Sequence, residues 1–321
     1  MPKNILVTDL VKELEIEKKV LSKYKIKLKN ILKLNKKDLK EINGIITGHT
    51  IDFNKELLSK LINCKIIVRY GAGYNNINVI EARKLGIKIF NVPDYGVNEV
   101  ADHAIAMTMM FLKNINEYYF RILNKKKNFW NYKGGFFFRR LSKINTGVIG
   151  LGRIGRAYAR KANSLGMNVF YYDPYVKQKN TVYKKINSLE KIFQTCQVIS
   201  LHVPISKETK FFINSKTLNK VKNNIILINT SRGELIKNNT LIRFLNNKKI
   251  LCLGVDVLEN EPISFNEKLF KMAKNKSFTS RILITPHSAF YTRESLYDLR
   301  YKAADTLKKY FEKKILKNCV N

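Results

Sequence analysis

The sequence contains a glycine pattern of the kind that holds the pyrophosphate of a dinucleotide. Gly150, Gly152 and Gly155 have the spacing GxGxxG, with an apolar run before them and a helical pattern, 153–165, after them. In such a motif the first glycine permits a tight turn, the second lets the backbone approach the pyrophosphate, and the third allows helix and strand to pack closely. The amide groups at the start of the helix would then bind the phosphates.

An acidic residue ends the next apolar run. Asp173, in VFYYDP, stands 18 residues after Gly155, close to the roughly 20 expected of an acid that binds the ribose hydroxyls. A carboxylate at this place repels a 2′-phosphate, so the pattern favours NAD over NADP. The alternative is a glycine turn in a purely structural βα unit, and the strand, helix and acid together favour the cofactor site.

Three further polar residues follow apolar runs later in the chain. They are Arg232 in NTSRGEL, Glu261 in DVLENEP and His287 in TPHSAF. A histidine can exchange a proton near neutral pH, a glutamate can stabilise its imidazolium form, and an arginine can grip the carboxylate and carbonyl oxygens of a 2-keto acid. Singly, Glu261 could be a solvated loop residue and Arg232 a surface cap. Together they indicate hydride transfer to a 2-keto acid.

The elements that must position these residues alternate between short strands and amphipathic helices, which is typical of an α/β protein with parallel sheets. Four strands are predicted before residue 98, and a long helix from about 98 to 122 follows. Six strands are predicted after residue 144, enough for a complete doubly wound dinucleotide fold. A closing helix is predicted from residue 292 to about 316.

The composition is unusual only in its charge. Sixty Lys and Arg against twenty-five Asp and Glu give a net charge of +35. Clustered cations can indicate nucleic-acid binding, but these lysines are scattered along the chain, and an AT-rich genome would enrich Lys, Asn and Ile together. We therefore expect no nucleic-acid partner, and a positive field that attracts small anionic substrates.

Other features indicate an ordinary cytoplasmic protein. The longest apolar stretch, 104–112, is far short of the roughly 20 residues that span a bilayer, and the start of the chain does not have the pattern of a signal peptide. The four cysteines are widely spaced, which argues against a disulfide framework and a metal site. We expect no membrane partner and no metal.

The stretches RYGAGYNNI, NVPDYGVNEVADHA, GVIGLGRIG, LHVP, INTSRGELI, GVDVLENEP and TPHSAF together resemble the D-isomer-specific 2-hydroxyacid dehydrogenases, over essentially the whole chain. The resemblance implies that Arg232, Glu261 and His287 are the catalytic trio, with His287 as acid/base. It implies further NAD contacts beside the glycines, namely Arg153, Ile154, Asp173, Val203, Pro204, Thr209, Thr230 and Asp256. It also implies substrate contacts at Ala72, Gly73, Tyr95 and Arg232.

The same resemblance implies two doubly wound parallel-sheet domains. A Rossmann NAD-binding domain, 98–289, would be inserted into a flavodoxin-like substrate domain formed by 1–97 and 290–321, and the protein would be a homodimer. His49, His103 and His202 are expected to be structural.

The substrate stays open among glyoxylate or hydroxypyruvate, D-lactate or pyruvate, and 3-phosphoglycerate. The alternative function is an NAD(H)-sensing, corepressor-like binding protein of the same fold without significant turnover.

Overall fold

The computed structural model describes residues 2–9, 11–124, 129–136, 139–177, 182–221 and 224–321. The chain forms two compact units. Unit 1 consists of residues 1–96 and 291–321, and unit 2 consists of residues 97–290. Unit 2 is thus continuous in sequence, whereas unit 1 is built from both ends of the chain.

Unit 1 contains a five-stranded parallel sheet. Its strands are β1 (Asn4–Thr8), β2 (Lys25–Leu28), β3 (Gly44–Thr47), β4 (Ile66–Arg69) and β5 (Lys88–Phe90). They lie in the order β2-β1-β3-β4-β5, which is the flavodoxin-like order. The helices are α1 (Glu15–Val20), α2 (Lys36–Glu41), α3 (Lys55–Ser59), α4 (Val79–Lys84) and, from the C-terminal segment, α12 (Arg293–Lys313).

The sheet of unit 1 is apolar on both faces, because parallel strands are covered by helices on both sides. Ile45 and Ile46 are adjacent in β3 and both fully buried, one in each of two apolar clusters. Helix α12 packs against α1, β3 and β4. The C-terminal segment therefore contributes to the core of the N-terminal sheet.

Unit 2 contains a seven-stranded parallel sheet. Its strands are β6 (Asn145–Ile149), β7 (Asn168–Tyr172), β8 (Lys184–Lys185), β9 (Val198–Leu201), β10 (Ile225–Asn229), β11 (Ile250–Val255) and β12 (Ile282–Ile284). The order is β12-β11-β10-β9-β6-β7-β8, a Rossmann arrangement with one further strand. The helices are α5 (Val97–Leu112), α6 (Ile115–Leu123), α7 (Arg153–Ser164), α8 (Leu189–Thr195), α9 (Ser215–Asn219), α10 (Asn238–Asn246) and α11 (Lys268–Lys274).

The predicted class, two α/β domains with doubly wound parallel sheets, is confirmed. Two strands were missed, β2 and β8, which lie at the sheet edges. Their sequences, KIKL and KK, carry lysines at positions open to solvent. Edge strands are protected from pairing by such charges, so they lack the apolar run by which the inner strands were found.

The long helix predicted over about 98–122 is two helices, α5 and α6. Asn114 separates them with φ of 53°, the left-handed conformation that asparagine tolerates better than most residues. Within the described part of the chain, no helix combines the length and apolar character needed to cross a membrane.

Candidate active site

The predicted cofactor loop follows β6 directly. Gly150 has φ of +89°, and a Cβ there would lie 2.6 Å from the backbone oxygen of His202, so this position requires glycine. Gly152 is the N-cap of α7, and nothing lies within 4 Å of where its Cβ would be. Arg153 and Ile154 are the first residues of α7. The loop therefore offers a cradle at a helix N-terminus, of the type that accepts a pyrophosphate.

Gly155 lies in the first turn of the same helix. A Cβ on it would come within 2.0 Å of the backbone oxygen of Gly150. The absence of a side chain thus allows the helix to pack on the loop that precedes it.

Asp173 lies just beyond β7 and is bonded to the glycine loop. Its Oδ2 accepts a hydrogen bond from the backbone N–H of Leu151 at 2.8 Å. Its Oδ1 accepts from the N–H groups of Tyr175 and Val176 at 2.9 and 3.2 Å. A carboxylate has about four acceptor sites. The half-buried Asp173 thus fixes the loop and retains capacity for a ribose hydroxyl.

The loop after β9 carries the next predicted cofactor contacts. A methyl of Val203 approaches to 2.6 Å of the position that a Cβ of Gly150 would take, so Val203 lies against the cofactor loop. The backbone oxygen of Pro204 accepts a hydrogen bond from Thr209 Oγ1 at 2.7 Å. Thr209 therefore closes the turn that begins at Pro204, directly after Val203.

Thr230 follows β10 and provides the clearest test of whether a polar ligand fits. Thr230 is 7% exposed, and its buried hydroxyl has no hydrogen-bond partner among the described residues. Buried polar groups normally have a partner. An unsatisfied hydroxyl at a strand end of the glycine-motif sheet fits a ligand rich in amide and hydroxyl groups, as NAD is.

The three predicted catalytic residues follow three neighbouring strands, β10, β11 and β12. Because these strands are parallel, their carboxyl ends lie at one edge of the sheet. His287 Nδ1 is 2.6 Å from Glu261 Oε2. The other oxygen, Oε1, accepts a hydrogen bond from the backbone N–H of Leu258 at 2.8 Å. The carboxylate therefore holds the imidazole while its own position is fixed by the backbone.

The charge state of Glu261 is set by opposing effects. Burial favours the neutral acid, but the hydrogen bond and charge of His287, the N–H of Leu258 and the charge of Arg232 outweigh it and lower the pKa of Glu261. The side chains of His287 and Glu261 remain 40% and 35% exposed. The lowered pKa keeps Glu261 ionised, and both side chains of the pair are accessible from solvent.

Arg232 is brought close to this pair by the glycine that follows it. A Cβ on Gly233 would lie 1.9 Å from the carbonyl carbon of Leu258, so the segments that carry Arg232 and Glu261 can pack directly only because residue 233 is glycine. The side-chain amide of Asn229 donates to the backbone oxygen of Arg232 at 2.8 Å, and Arg232 Nη1 donates to the backbone oxygen of Ser231 at 2.5 Å. The packing at Gly233 and the contact of His287 with Glu261 thus bring Arg232, Glu261 and His287 together.

Asp256, predicted as a cofactor contact, is bonded within the protein. It is 2% exposed. Its carboxylate accepts hydrogen bonds from Thr285 Oγ1 and from the N–H groups of Ser288 and Ala289. The sequence did not reveal this role, because the donors lie about thirty residues away. Asp256 fixes the segment that carries His287.

The predicted substrate contacts Ala72, Gly73 and Tyr95 belong to unit 1. The backbone oxygen of Ala72 accepts from Asn91 Nδ2 at 2.7 Å, and Tyr95 packs against an apolar cluster of that unit. Their contact with a substrate stays a prediction.

Comparisons with known proteins show the family to which the chain belongs. Residues 105–289 match the family model described as D-isomer specific 2-hydroxyacid dehydrogenase, NAD binding domain. A glyoxylate reductase of Thermococcus litoralis is 34% identical over 288 residues, which cover 88% of this chain and 85% of that protein. A 2-hydroxyacid dehydrogenase homolog of Haemophilus influenzae is 33% identical over 280 residues, which cover 84% of this chain and 82% of that protein.

Two solved structures have the same fold over nearly all of both chains. A D-lactate dehydrogenase from Aquifex aeolicus, complexed with NAD and lactic acid, superposes with a TM-score of 0.88 at 28% identity and covers 99% of each chain. A glyoxylate reductase from Paecilomyes thermophila gives a TM-score of 0.85 at 26% identity, with 100% of this chain and 99% of that chain covered.

The chain belongs to the D-isomer-specific 2-hydroxyacid dehydrogenase family. The predicted family, the predicted class of NAD-dependent oxidoreductase acting on CH–OH groups, and NAD as the predicted cofactor are confirmed.

Proposed function

We propose that this protein reduces a small 2-keto acid with NADH, and oxidises the matching 2-hydroxy acid in reverse, with His287 as the acid/base. The observation that carries the proposal is the 2.6 Å contact between His287 Nδ1 and Glu261 Oε2, with the charge of Arg232 acting on the same carboxylate. NADH, when bound, supplies the hydride.

His287 would exchange its proton through Nε2, since Nδ1 is bonded to Glu261. The carboxylate stabilises the imidazolium form, so the ring can donate a proton to the developing alkoxide. In the oxidative direction the neutral ring removes the same proton. Glu261 thus orients the ring and stabilises its charged form.

Arg232 would bind the substrate through its planar guanidinium. Two N–H groups can face a carboxylate and a neighbouring carbonyl oxygen together, which fixes the orientation of a 2-keto acid and polarises its carbonyl. Backbone N–H groups at Ala72 and Gly73 would hold the carboxylate, and Tyr95 would contact the side group. Unit 1 would then be the substrate domain.

The cofactor would be held by the groups described above. The cradle of Gly150, Gly152 and Gly155, with the N–H groups of Arg153 and Ile154, would bind the pyrophosphate, and Asp173 would bind the ribose hydroxyls. Val203, Pro204 and Thr209 would line the cofactor. Thr230 and Asp256 would lie beside the nicotinamide, with the hydroxyl of Thr230 as a polar contact.

The substrate is proposed only as a class: glyoxylate or hydroxypyruvate, pyruvate, or the keto acid of 3-phosphoglycerate.

We also propose that the protein is a homodimer. The exposed aromatic side chains of Tyr119, Trp130 and Tyr132 form a surface that another copy could cover. Four free thiols support a reducing compartment such as the cytoplasm.

A panel of 2-keto acids tests this function. The purified protein is mixed with NADH and each acid in turn, and the nicotinamide absorbance is followed. Turnover of at least one acid, with formation of the D isomer where the product is chiral, is the expected result. NADH binding without turnover of any acid would contradict the proposal and favour an NAD(H)-sensing protein. Salt-sensitive binding to duplex DNA without turnover would favour a nucleic-acid function.

A further inference from the structure

The segment that carries His287 is held by one buried carboxylate. Besides the bonds to its side chain, Asp256 accepts the N–H of His287 through its backbone oxygen at 2.9 Å. His287 itself has φ of +52°, a left-handed conformation that is uncommon for a residue other than glycine and needs support from its surroundings. Residues 285–289 therefore depend on Asp256 for their conformation.

Thr285 extends this support to a histidine on another element. Its hydroxyl donates to Asp256 Oδ1 at 2.5 Å and lies 3.0 Å from Nε2 of His103. A hydroxyl can donate only one hydrogen bond, and the hydroxyl of Thr285 donates it to the carboxylate of Asp256. The hydroxyl can only accept from His103, so Nε2 of His103 must carry a hydrogen.

His103 lies on α5, which packs against α7, β10 and β11. The cofactor loop directly precedes α7, and Arg232 and Asp256 follow β10 and β11. The imidazole also lies 3.9 Å from Asp256 Oδ1 and is one-quarter exposed. The chain of groups His103, Thr285 and Asp256 thus links α5 to the segment of His287, within unit 2.

We propose that His103 is a positioning residue for His287, and that it acts by donating its Nε2 hydrogen to Thr285 Oγ1. The donated bond orients the hydroxyl toward Asp256. The oriented carboxylate then holds the backbone of Ser288 and Ala289, and with it the ring of His287. This inference rests on the proposed function only for its effect on turnover.

The first test compares two substitutions of His103. His103→Leu removes the donor, whereas His103→Gln keeps an N–H at nearly the same place. We expect His103→Leu to lower kcat about tenfold, since small displacements of a catalytic group are costly, with the Kd for NADH unchanged. His103→Gln should restore most of kcat. Thr285→Val and Thr285→Ser should show the same contrast.

Thr108→Val is the matched control on the same helix. Thr108 is buried, and its hydroxyl bonds to Ala104 and Tyr158, neither of which belongs to residues 285–289. This variant should lower the melting temperature without changing kcat. Wild-type kcat in His103→Leu, or a His103→Gln variant as slow as His103→Leu, would overturn the proposal.

The second test needs neither substrate nor cofactor. In the protein labelled with ¹⁵N-histidine, the His103 ring should carry a hydrogen on Nε2, assigned by its loss in His103→Gln. Amide hydrogen exchange of residues 287–289 should be faster in His103→Leu than in wild type and His103→Gln. A His103 ring protonated on Nδ1 alone, or unchanged exchange, would overturn the proposal. If His103 carried its hydrogen on Nε2 and amide exchange were faster in His103→Leu, but the wild type turned over no keto acid, only the proposed function would fail.

Discussion

Two carboxylates, one in each unit, are hydrogen-bonded to basic side chains and yet have different roles. In unit 1, Glu17 is fully buried and accepts hydrogen bonds from Tyr70 and from two nitrogens of Arg300 at 2.6 to 2.8 Å. In unit 2, Glu261 holds His287, and both side chains are more than one-third exposed. In both places burial opposes ionisation, and hydrogen bonds outweigh it and lower the pKa of the carboxyl.

The difference between the two sites lies in the partner and its access. Arg300 remains protonated at any ordinary pH, and Glu17 lies out of contact with solvent, so this pair can only stabilise. An imidazole is a side chain that enzymes use to donate and accept protons, and that of His287 is 40% exposed. A pair of this type therefore connects α1 with α12 in one unit, and we propose that it supports proton transfer in the other.

The largest expected effect is on turnover in His287→Ala. Loss of the acid/base should lower kcat about 1000-fold, while NADH binding, followed by its fluorescence, stays as in wild type. His49→Ala, which changes an exposed histidine of unit 1, is the control and should keep full activity. Equal kcat in His287→Ala would refute the assignment.

Glu17→Gln should act on stability and not on chemistry. The substitution leaves Arg300 without its buried counter-charge and should lower the free energy of unfolding by about 3 kcal/mol, as measured by urea denaturation. Glu15→Gln, on the exposed side of the same helix, should change it by a few tenths of a kcal/mol. If Glu17→Gln were as stable as wild type, the structural role of this pair would be wrong.

Glu261→Gln should act on turnover and not on stability. An amide can still hold the ring but cannot stabilise its charge, so we expect kcat to fall about 30-fold with little change in melting temperature. Glu259→Gln is the control, because Glu259 accepts a hydrogen bond from the N–H of Asn238 and an amide oxygen can do the same. A larger loss of kcat in Glu259→Gln than in Glu261→Gln would contradict the account.

The smallest expected effect concerns His202, which is expected to be structural. Burial lowers the pKa of His202 to about 3, so between pH 6.5 and 3 the unfolded chain binds a proton that the folded protein does not. Above pH 6.5 the neutral His202 does not lower the stability of the folded protein. As the pH falls below 6.5, protonation of His202 in the unfolded chain lowers the free energy of unfolding by up to about 1.4 kcal/mol per pH unit. Urea denaturation at pH 7.5 and 5.5 should show a smaller decrease in His202→Gln than in wild type. An equal decrease in both proteins would count against this.

Much of unit 2 could be predicted because its signals are local. The GxGxxG spacing and the apolar runs of β6, β9, β10 and β11 follow from burial on both faces of a parallel sheet. The edge strands β2 and β8 could not be found in the same way, since Lys25, Lys27 and Lys184 in them are exposed. The break at Asn114 depends on one left-handed residue, which a periodic apolar pattern does not reveal.

The sequence indicates Arg232, Glu261 and His287 as candidates because each follows an apolar run, and the structure brings them together. Their catalytic roles stay a prediction, and their connections to other segments could not be predicted. The role of Asp256 and the contact of Thr285 with His103 depend on how distant segments meet. From the sequence His103 is expected to be structural, and its contact with Thr285, 182 residues away in the chain, is not visible there.

The most direct test of the account is a double-mutant cycle on Glu261 and His287. We propose that Glu261 acts on the reaction through the imidazole. The kcat of the double variant Glu261→Gln/His287→Ala, followed by NADH absorbance with a saturating keto acid, should therefore equal that of His287→Ala alone. A further loss of about 30-fold in the double variant, equal to the effect of Glu261→Gln by itself, would contradict the account.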